Sequence, residues 1–81
     1  MSTTTTTALG IAFGTWLKKT REDRGLSLRD VARATGVHFT SIRYAELEFG
    51  EPKLGTFIAV AQALGANPTT LMRNLLKEAN S

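Results

Sequence analysis

The sequence predicts an all-α domain built from five short helices. Apolar residues recur at helical spacing in several segments, whereas no segment alternates apolar and polar residues with period two over a useful length. Glycine, proline and helix-capping residues lie between these segments and divide them into five, with no internal repeat. The chain of 81 residues is long enough for one domain with a single modest core.

The N-terminal part divides into a tail and a first helix. Residues 1–8 are rich in threonine and lack charge and periodicity, which predicts a disordered tail, and residues 9–79 are expected to form the domain. A first helix from about Leu9 to Arg24 would have one face shared by Ile11, Phe13, Trp16, Leu17 and Thr20. Gly25 follows as its C-terminal stop.

Residues 25–46 predict two short helices joined by a tight turn. Ser27 and Asp30 have the spacing of a capping box, which opens a second helix that ends near residue 35. Gly36 suits a left-handed turn position, and a third helix is expected over residues 38–47. The two helices therefore have the lengths and the connection of a compact helix pair.

This helix pair has an apolar side and a polar side. The positions at which the two helices can pack are Val31, Ala32, Val37, Ile42 and Ala45. The side chains left largely free to face outward are His38, Phe39, Thr40, Ser41, Arg43 and Tyr44. A rigid helix pair that presents one polar, basic surface is the arrangement that enters a DNA major groove.

Two further helices complete the chain after a loop over residues 49–52, where Gly and Pro occur together. The fourth helix is expected over residues 54–64 and ends at Gly65, with Phe57, Ile58, Ala61 and Leu64 facing inward. Asn67 and Pro68 are a clear start signal for the fifth helix, as N-cap and first helical residue. That helix carries the large apolar residues Leu71, Met72, Leu75 and Leu76.

The charge is basic and is concentrated in the N-terminal half. Ten Lys and Arg against seven Asp and Glu give a net charge of +3, and seven of the ten cations lie within the first 43 residues. Phosphates of nucleic acid attract such a surplus, although many small domains carry a similar charge. No cysteine, signal peptide or membrane-length apolar run is present, and a cytoplasmic protein is expected.

The sequence gives no indication of an enzyme. The sequence has a single histidine, His38, and no cysteine or paired carboxylates with which it could form a catalytic site. It also has no glycine-rich phosphate loop and no metal-ligand spacing. We therefore expect no catalytic residues, no metal, no cofactor and no small-molecule ligand.

The spacing of single residues between Phe13 and Leu76 resembles the lambda-repressor-like helix-turn-helix family (Cro/repressor type, also called the XRE family). The residues that carry the resemblance are Leu17, Arg21, Gly25, Leu26, Ser27, Val31, Ala32, Gly36, Val37, Ile42, Glu46, Pro52, Leu54, Ala61, Ala63, Leu64, Gly65 and Leu71. The resemblance implies a compact five-helix fold that binds operator DNA, commonly as a two-fold dimer.

The chain departs from the family pattern at two positions. Leu28 stands where members often have a glutamine that contacts phosphate, and Glu48 stands where members often have glycine. The first departure removes a polar phosphate contact, and the second puts an acid near the expected DNA face.

The third helix is the candidate for base recognition. By residue match to the family, Phe39, Thr40 and Tyr44 fall where base edges are contacted. Arg43 could reach a phosphate or the O6/N7 edge of a guanine, and Ser41 a phosphate or a helix cap. Alternatively, Phe39 could belong to the core, Tyr44 could cover the core edge and Arg43 could pair with Glu46 or Glu48. His38 could serve as an N-cap in place of serine.

Other cations have separate predicted roles. Arg29 at the start of the second helix and Lys53 before the fourth are candidate phosphate contacts. In the family a basic residue at the Arg21 position often pairs with the glutamate matching Glu46, which would brace the third helix against the first. The other N-terminal cations are expected to be solvated: Lys18, Lys19, Arg24 and Arg33.

The fifth helix has more large apolar residues than one amphipathic face usually needs. Leu71, Met72, Leu75 and Leu76 could therefore form an isologous dimer contact, or all four could complete the core of the monomer.

The favoured function is a small sequence-specific DNA-binding repressor of phage, plasmid or bacterial operon type. The alternative is a protein-interaction module that has lost operator binding, suggested by Leu28, Phe39 and Glu48.

Overall fold

A computed structural model describes residues 3–47 and 52–80, with side chains from residue 8 onward. Within these ranges the chain forms five helices and no strand: α1 (Thr3–Asp23), α2 (Leu28–Thr35), α3 (Phe39–Glu46), α4 (Leu54–Ala63) and α5 (Pro68–Ala79). The predicted all-α class with five helices is confirmed. Glu48 and the predicted loop residues 49–51 lie outside the described residues.

Helix α1 begins earlier than the sequence predicts. It starts at Thr3 rather than near Leu9, so the described threonines have helical backbone where a disordered tail was expected. Threonine is a weak helix former, but extending an existing helix costs far less than nucleating one, and α1 is anchored by its packed C-terminal part. The division between tail and domain at residue 8 stays a prediction.

The predicted helix ends are confirmed at the caps of α2 and α5. The Ser27 hydroxyl accepts from the backbone N–H of Asp30, and the Asp30 carboxylate accepts from the backbone N–H of Ser27. Gly36 ends α2 in the left-handed region, at φ 74°. Asn67 caps α5 through the backbone N–H groups of Thr69 and Thr70, with Pro68 as the first helical residue.

The core lies between all five helices. Its buried residues are Phe13, Leu17, Val31, Ile42, Ala45, Phe57, Val60, Ala61, Leu64, Leu71 and Leu75. Two residues predicted to face inward are instead exposed, Ile11 at 41% and Ile58 at 37%. The buried face of α4 follows positions 57, 60, 61 and 64, so Ile58 is turned about 100° away and Val60 takes its place.

The structure favours the core alternative over the dimer contact for two of the four large apolar residues of α5. Leu71 and Leu75 are buried in the core of the protomer, so their side chains are not available for a contact with a second chain. Met72 is partly buried against the core and Leu76 is 37% exposed. Of the four predicted dimer residues, only Met72 and Leu76 retain surface.

Candidate nucleic-acid interface

Helix α3 has one face in the core and the other in solvent. Ile42 and Ala45 are buried, because they lie on the side that faces α1 and α2. The exposed face carries Thr40, Ser41, Arg43 and Tyr44, of which Tyr44 is 50% exposed. This agrees with the predicted division between packing and outward-facing residues in α3.

A side-chain ion pair holds the C-terminal end of α3 against α1. Arg21 Nε donates to Glu46 Oε2 at 2.7 Å and Nη2 donates to Oε1 at 3.1 Å, which is a bidentate arrangement. The Arg21 Nη1 also donates to the backbone carbonyl of Leu26, in the turn before α2. The hydrogen bond to Glu46 raises the pKa of the Arg21 guanidinium, and burial opposes it. The predicted brace is confirmed, and it also reaches the helix pair.

Gly14 permits the close approach of α1 to α3. A Cβ atom at Gly14 would meet the backbone carbonyl oxygen of Ala45 at a distance that real Cβ atoms do not show. Since Ala45 belongs to α3, the absence of a side chain at Gly14 fixes how near the two helices lie. Sequence reasoning missed this residue, although a glycine inside a helix is a signal for such a contact.

The N-terminal end of α3 is capped by His38. Its Nδ1 accepts a hydrogen bond from the backbone N–H of Thr40 at 3.2 Å, so the ring acts as the N-cap that the sequence allowed. With Nδ1 as acceptor, Nε2 is the ring donor of the neutral tautomer. His38 is exposed and remains beside the surface residues of α3.

Phe39 and Arg29 contact each other across the helix pair. The Arg29 Cζ lies 4.8 Å from the centroid of the Phe39 ring, within cation–π distance. Phe39 is half-buried, whereas Arg29 is exposed. The burial of Phe39 is therefore intermediate between that of a core residue and that of a fully exposed base contact, the two predicted alternatives. The contact joins the first turn of α2 to the first residue of α3.

An open groove brings together residues from α3 and from the start of α4. Its lining residues are Thr40, Ser41, Tyr44, Pro52, Lys53 and Thr56. Four predicted DNA contacts are therefore neighbours, although Lys53 is distant from the other three in sequence. Lys53 is exposed at the N-cap of α4, where it makes no side-chain capping bond.

The alternative in which Arg43 pairs with Glu46 does not hold. The Glu46 carboxylate binds Arg21 instead, and its side chain is only 8% exposed. Glu48, the other partner considered in that alternative, lies outside the described residues. Arg43 is exposed and makes no ion pair with the described part of the chain.

The comparison with protein families identifies the chain. A family model described as helix-turn-helix matches residues 17–71, which is more than half of the chain and includes α2 and α3. The chain belongs to the Cro/repressor-type helix-turn-helix family. It is accordingly a DNA-binding domain of transcription-regulator type, from a family that is typically non-enzymatic. No curated protein and no solved structure matches the chain significantly.

Among the described residues, no three His, Asp or Glu side chains lie close enough to hold a metal ion. None of the described helices combines the length and the apolar character needed to cross a membrane.

Proposed function

We propose that this chain is a sequence-specific transcription regulator, a small repressor of phage, plasmid or bacterial operon type, that inserts α3 into the major groove. The observation that carries the proposal is the outward face of α3, whose polar and basic side chains stand on a helix fixed at both ends. Arg21 and Glu46 hold one end, and the His38 cap and the Arg29–Phe39 contact hold the other. A recognition helix needs this rigidity because base contacts require a fixed register.

The groove residues divide into base contacts and backbone contacts. Thr40 and Tyr44 lie on the exposed face of α3 and contact base edges, with Phe39 touching thymine methyl groups at the start of the helix. Ser41 and Lys53, which line the same groove, contact phosphate oxygens. Arg43 lies in solvent on this helix and reaches a phosphate or a guanine.

The regulator acts as a homodimer in the cytoplasm. Leu54 is 69% exposed, and it lines one apolar groove together with the partly buried Met72. A two-fold contact through this groove and the exposed Leu76 would cover apolar surface of the protomer. Such a dimer places its recognition helices about 34 Å apart, on successive turns of one face of the duplex.

Selection from random duplex DNA with the purified protein tests the proposal. We expect a pseudo-palindromic motif with half-sites about one helical turn apart. A single half-site would contradict the dimer, and absence of enrichment by the folded protein would contradict sequence-specific binding. On the selected site, the affinity should fall steeply with salt, with a log–log slope of about −5 to −7 for six to eight phosphate contacts.

We favour DNA binding over the protein-interaction alternative. It depended on three residues that would make the DNA face apolar or acidic. Leu28 packs against the core, and Phe39 is half-buried beside the Arg29 guanidinium. The third residue, Glu48, lies outside the described residues.

A further inference from the structure

The charged group of Arg29, a residue of α2, lies beside the start of α3. Its Cζ lies 4.8 Å from the ring centroid of Phe39, the first residue of α3. Base contacts in helix-turn-helix proteins come from the N-terminal residues of the recognition helix. The charged group of Arg29 is therefore held where the recognition helix begins, although its backbone belongs to the preceding helix.

No carboxylate of the described residues neutralises this guanidinium. The nearest in sequence is Asp30, whose carboxylate accepts from the backbone N–H of Ser27 at 2.8 Å and lies 3.5 Å from Arg33 Nη1. Asp30 thus serves the cap of α2 and a different cation. Arg29 is exposed and makes no ion pair within the described ranges.

The Phe39 ring leaves the hydrogen-bonding part of the guanidinium open. The Arg29 Cζ lies over this ring, which attracts the positive charge through its π-face but has no lone-pair acceptor for the five N–H donors of the guanidinium. The contact also restricts the long side chain before it binds, so that less entropy is lost on binding. A planar pair of acceptors suits the planar guanidinium, and DNA offers them as the O6 and N7 of guanine or as two phosphate oxygens.

We infer that Arg29, held by Phe39, reads a guanine by bidentate hydrogen bonds to its O6 and N7 in the major groove. The inference rests on the proposed function and deepens it, because it assigns base selectivity to a residue outside the recognition helix. Phe39 is then a positioning residue for Arg29 as well as an apolar neighbour of thymine. The guanine is favoured over a phosphate because the guanidinium stands at the first residue of α3 rather than at the flank of the helix pair.

Selection from random duplex DNA with matched variants tests the inference. Arg29→Lys keeps the charge but loses the bidentate fork, and Arg33→Lys is the control on the same helix. We expect the wild-type motif to contain one guanine in each half-site at which Arg29→Lys relaxes the preference by roughly tenfold or more. Arg33→Lys should leave the motif unchanged.

Two variants of Phe39 separate positioning from simple folding. Phe39→Tyr keeps an aromatic ring and should retain the guanine, whereas Phe39→Leu keeps apolar bulk and should relax the same position as Arg29→Lys. Circular dichroism establishes that each variant is folded. An unchanged motif with Arg29→Lys, or an affinity lowered equally for all sequences, would overturn the inference and indicate a phosphate contact. Failure of the folded wild-type protein to enrich any sequence would instead overturn the proposed function, and this inference with it.

Discussion

Neighbouring cations of α1 differ in what their charge does for the fold. The Arg21 and Glu46 side chains are 13% and 8% exposed and form a bidentate pair. Because little water reaches them, each charge is compensated by its partner instead of by solvent. Lys19 and Asp23 form a pair at 3.2 Å whose side chains are 75% and 64% exposed. Water and salt screen that second pair, and it adds little to stability.

Removal of the Arg21 charge should therefore destabilise the domain, whereas removal of the Lys19 charge should not. We expect Arg21→Gln to lower the free energy of unfolding by about 2–3 kcal/mol, because it leaves the Glu46 carboxylate buried without its partner. The matched variant Lys19→Gln should change it by less than about 1 kcal/mol. Urea unfolding followed by circular dichroism measures both, and equal losses would contradict a structural role for the Arg21 pair.

The cap of α2 should make stability depend on acidity. The hydrogen bond from the backbone N–H of Ser27 lowers the pKa of the Asp30 carboxyl, and the Ser27 side chain lowers it further. Because the folded pKa lies below the unfolded value of about 3.9, this stabilisation is complete above that value. It is lost as the pH falls through the folded pKa.

The variant Asp30→Asn isolates this contribution. We expect the wild-type protein to be more stable than Asp30→Asn near neutral pH and the difference to shrink as the pH falls below about 3.9. Urea unfolding of both proteins over a pH series measures the difference. A difference that stays constant with pH would show that the Asp30 charge plays no part in the cap.

At the scale of helices, the position of α3 depends on a glycine of α1. A side chain at Gly14 would collide with the backbone carbonyl oxygen of Ala45, and backbone cannot move aside as a flexible side chain can. Gly55, another helical glycine, has open space around its Cβ position. The two glycines therefore separate the effect of helix propensity from that of helix packing.

We expect Gly14→Ala and Gly55→Ala to have opposite effects on stability. Gly14→Ala should lower the free energy of unfolding by about 1–3 kcal/mol through overpacking, and it should weaken DNA binding because α3 must shift. Gly55→Ala should raise the free energy by about 0.5 kcal/mol through a smaller entropy of the unfolded chain. Urea unfolding tests the pair, and a stabilising Gly14→Ala would contradict the close approach of α1 and α3.

The start of α4 has a residue that does not favour the helix. The N-cap position prefers Ser, Thr, Asp or Asn, whereas Lys53 has no acceptor and makes no side-chain cap. Lys53 instead lines the groove with three exposed residues of α3. Lysine at this position makes the start of α4 less stable than a capping residue would, and it does so where a phosphate contact is proposed.

Lys53→Ser should therefore separate stability from binding. We expect it to raise the free energy of unfolding by about 1 kcal/mol, because serine caps α4. It should also weaken DNA binding and reduce the steepness of the salt dependence by about 1 for each protomer bound. Thermal unfolding and fluorescence anisotropy measure the two effects, and a stabilised variant with unchanged affinity would exclude Lys53 from the interface.

Local signals in the sequence predicted most of the helices. The caps at Ser27 and Asn67 and the turn at Gly36 depend on residues within a few positions of each other, and they were predicted correctly. The sequence was a poorer guide to which residues of a helix face inward, as at Ile58. Several apolar residues compete for the inward face, and tertiary packing determines which of them are buried.

Residues of the candidate site could be predicted from the sequence in two cases: where their spacing matches the family, and where helical periodicity places them on the outward face of α3. The Arg21–Glu46 pair joins residues 25 positions apart, and only the family resemblance pointed to it. The contact of Arg29 with Phe39 has no local pattern. Gly14, a glycine within a helix, signals a close contact but does not say which element approaches it. Both partners follow from how α1, α2 and α3 pack, so the sequence alone could not identify them.

At the scale of the whole molecule, the groups proposed to contact DNA are grouped around α3. The exposed side of α3, Lys53 and Arg29 supply hydrogen-bonding and positive groups, while the core fixes the helices that carry them. The net charge of +3 adds a general attraction to phosphates. The apolar groove with Leu54 and Met72 is the surface proposed for a two-fold contact.

A dimethyl sulfate footprint on the selected DNA site tests most directly whether α3 enters the major groove. The reagent methylates guanine N7, which faces the major groove, and adenine N3, which faces the minor groove. The bound protein should protect guanine N7 within each half-site and leave adenine N3 there reactive. Protection of adenine N3 with guanine N7 fully reactive would contradict insertion of α3 into the major groove.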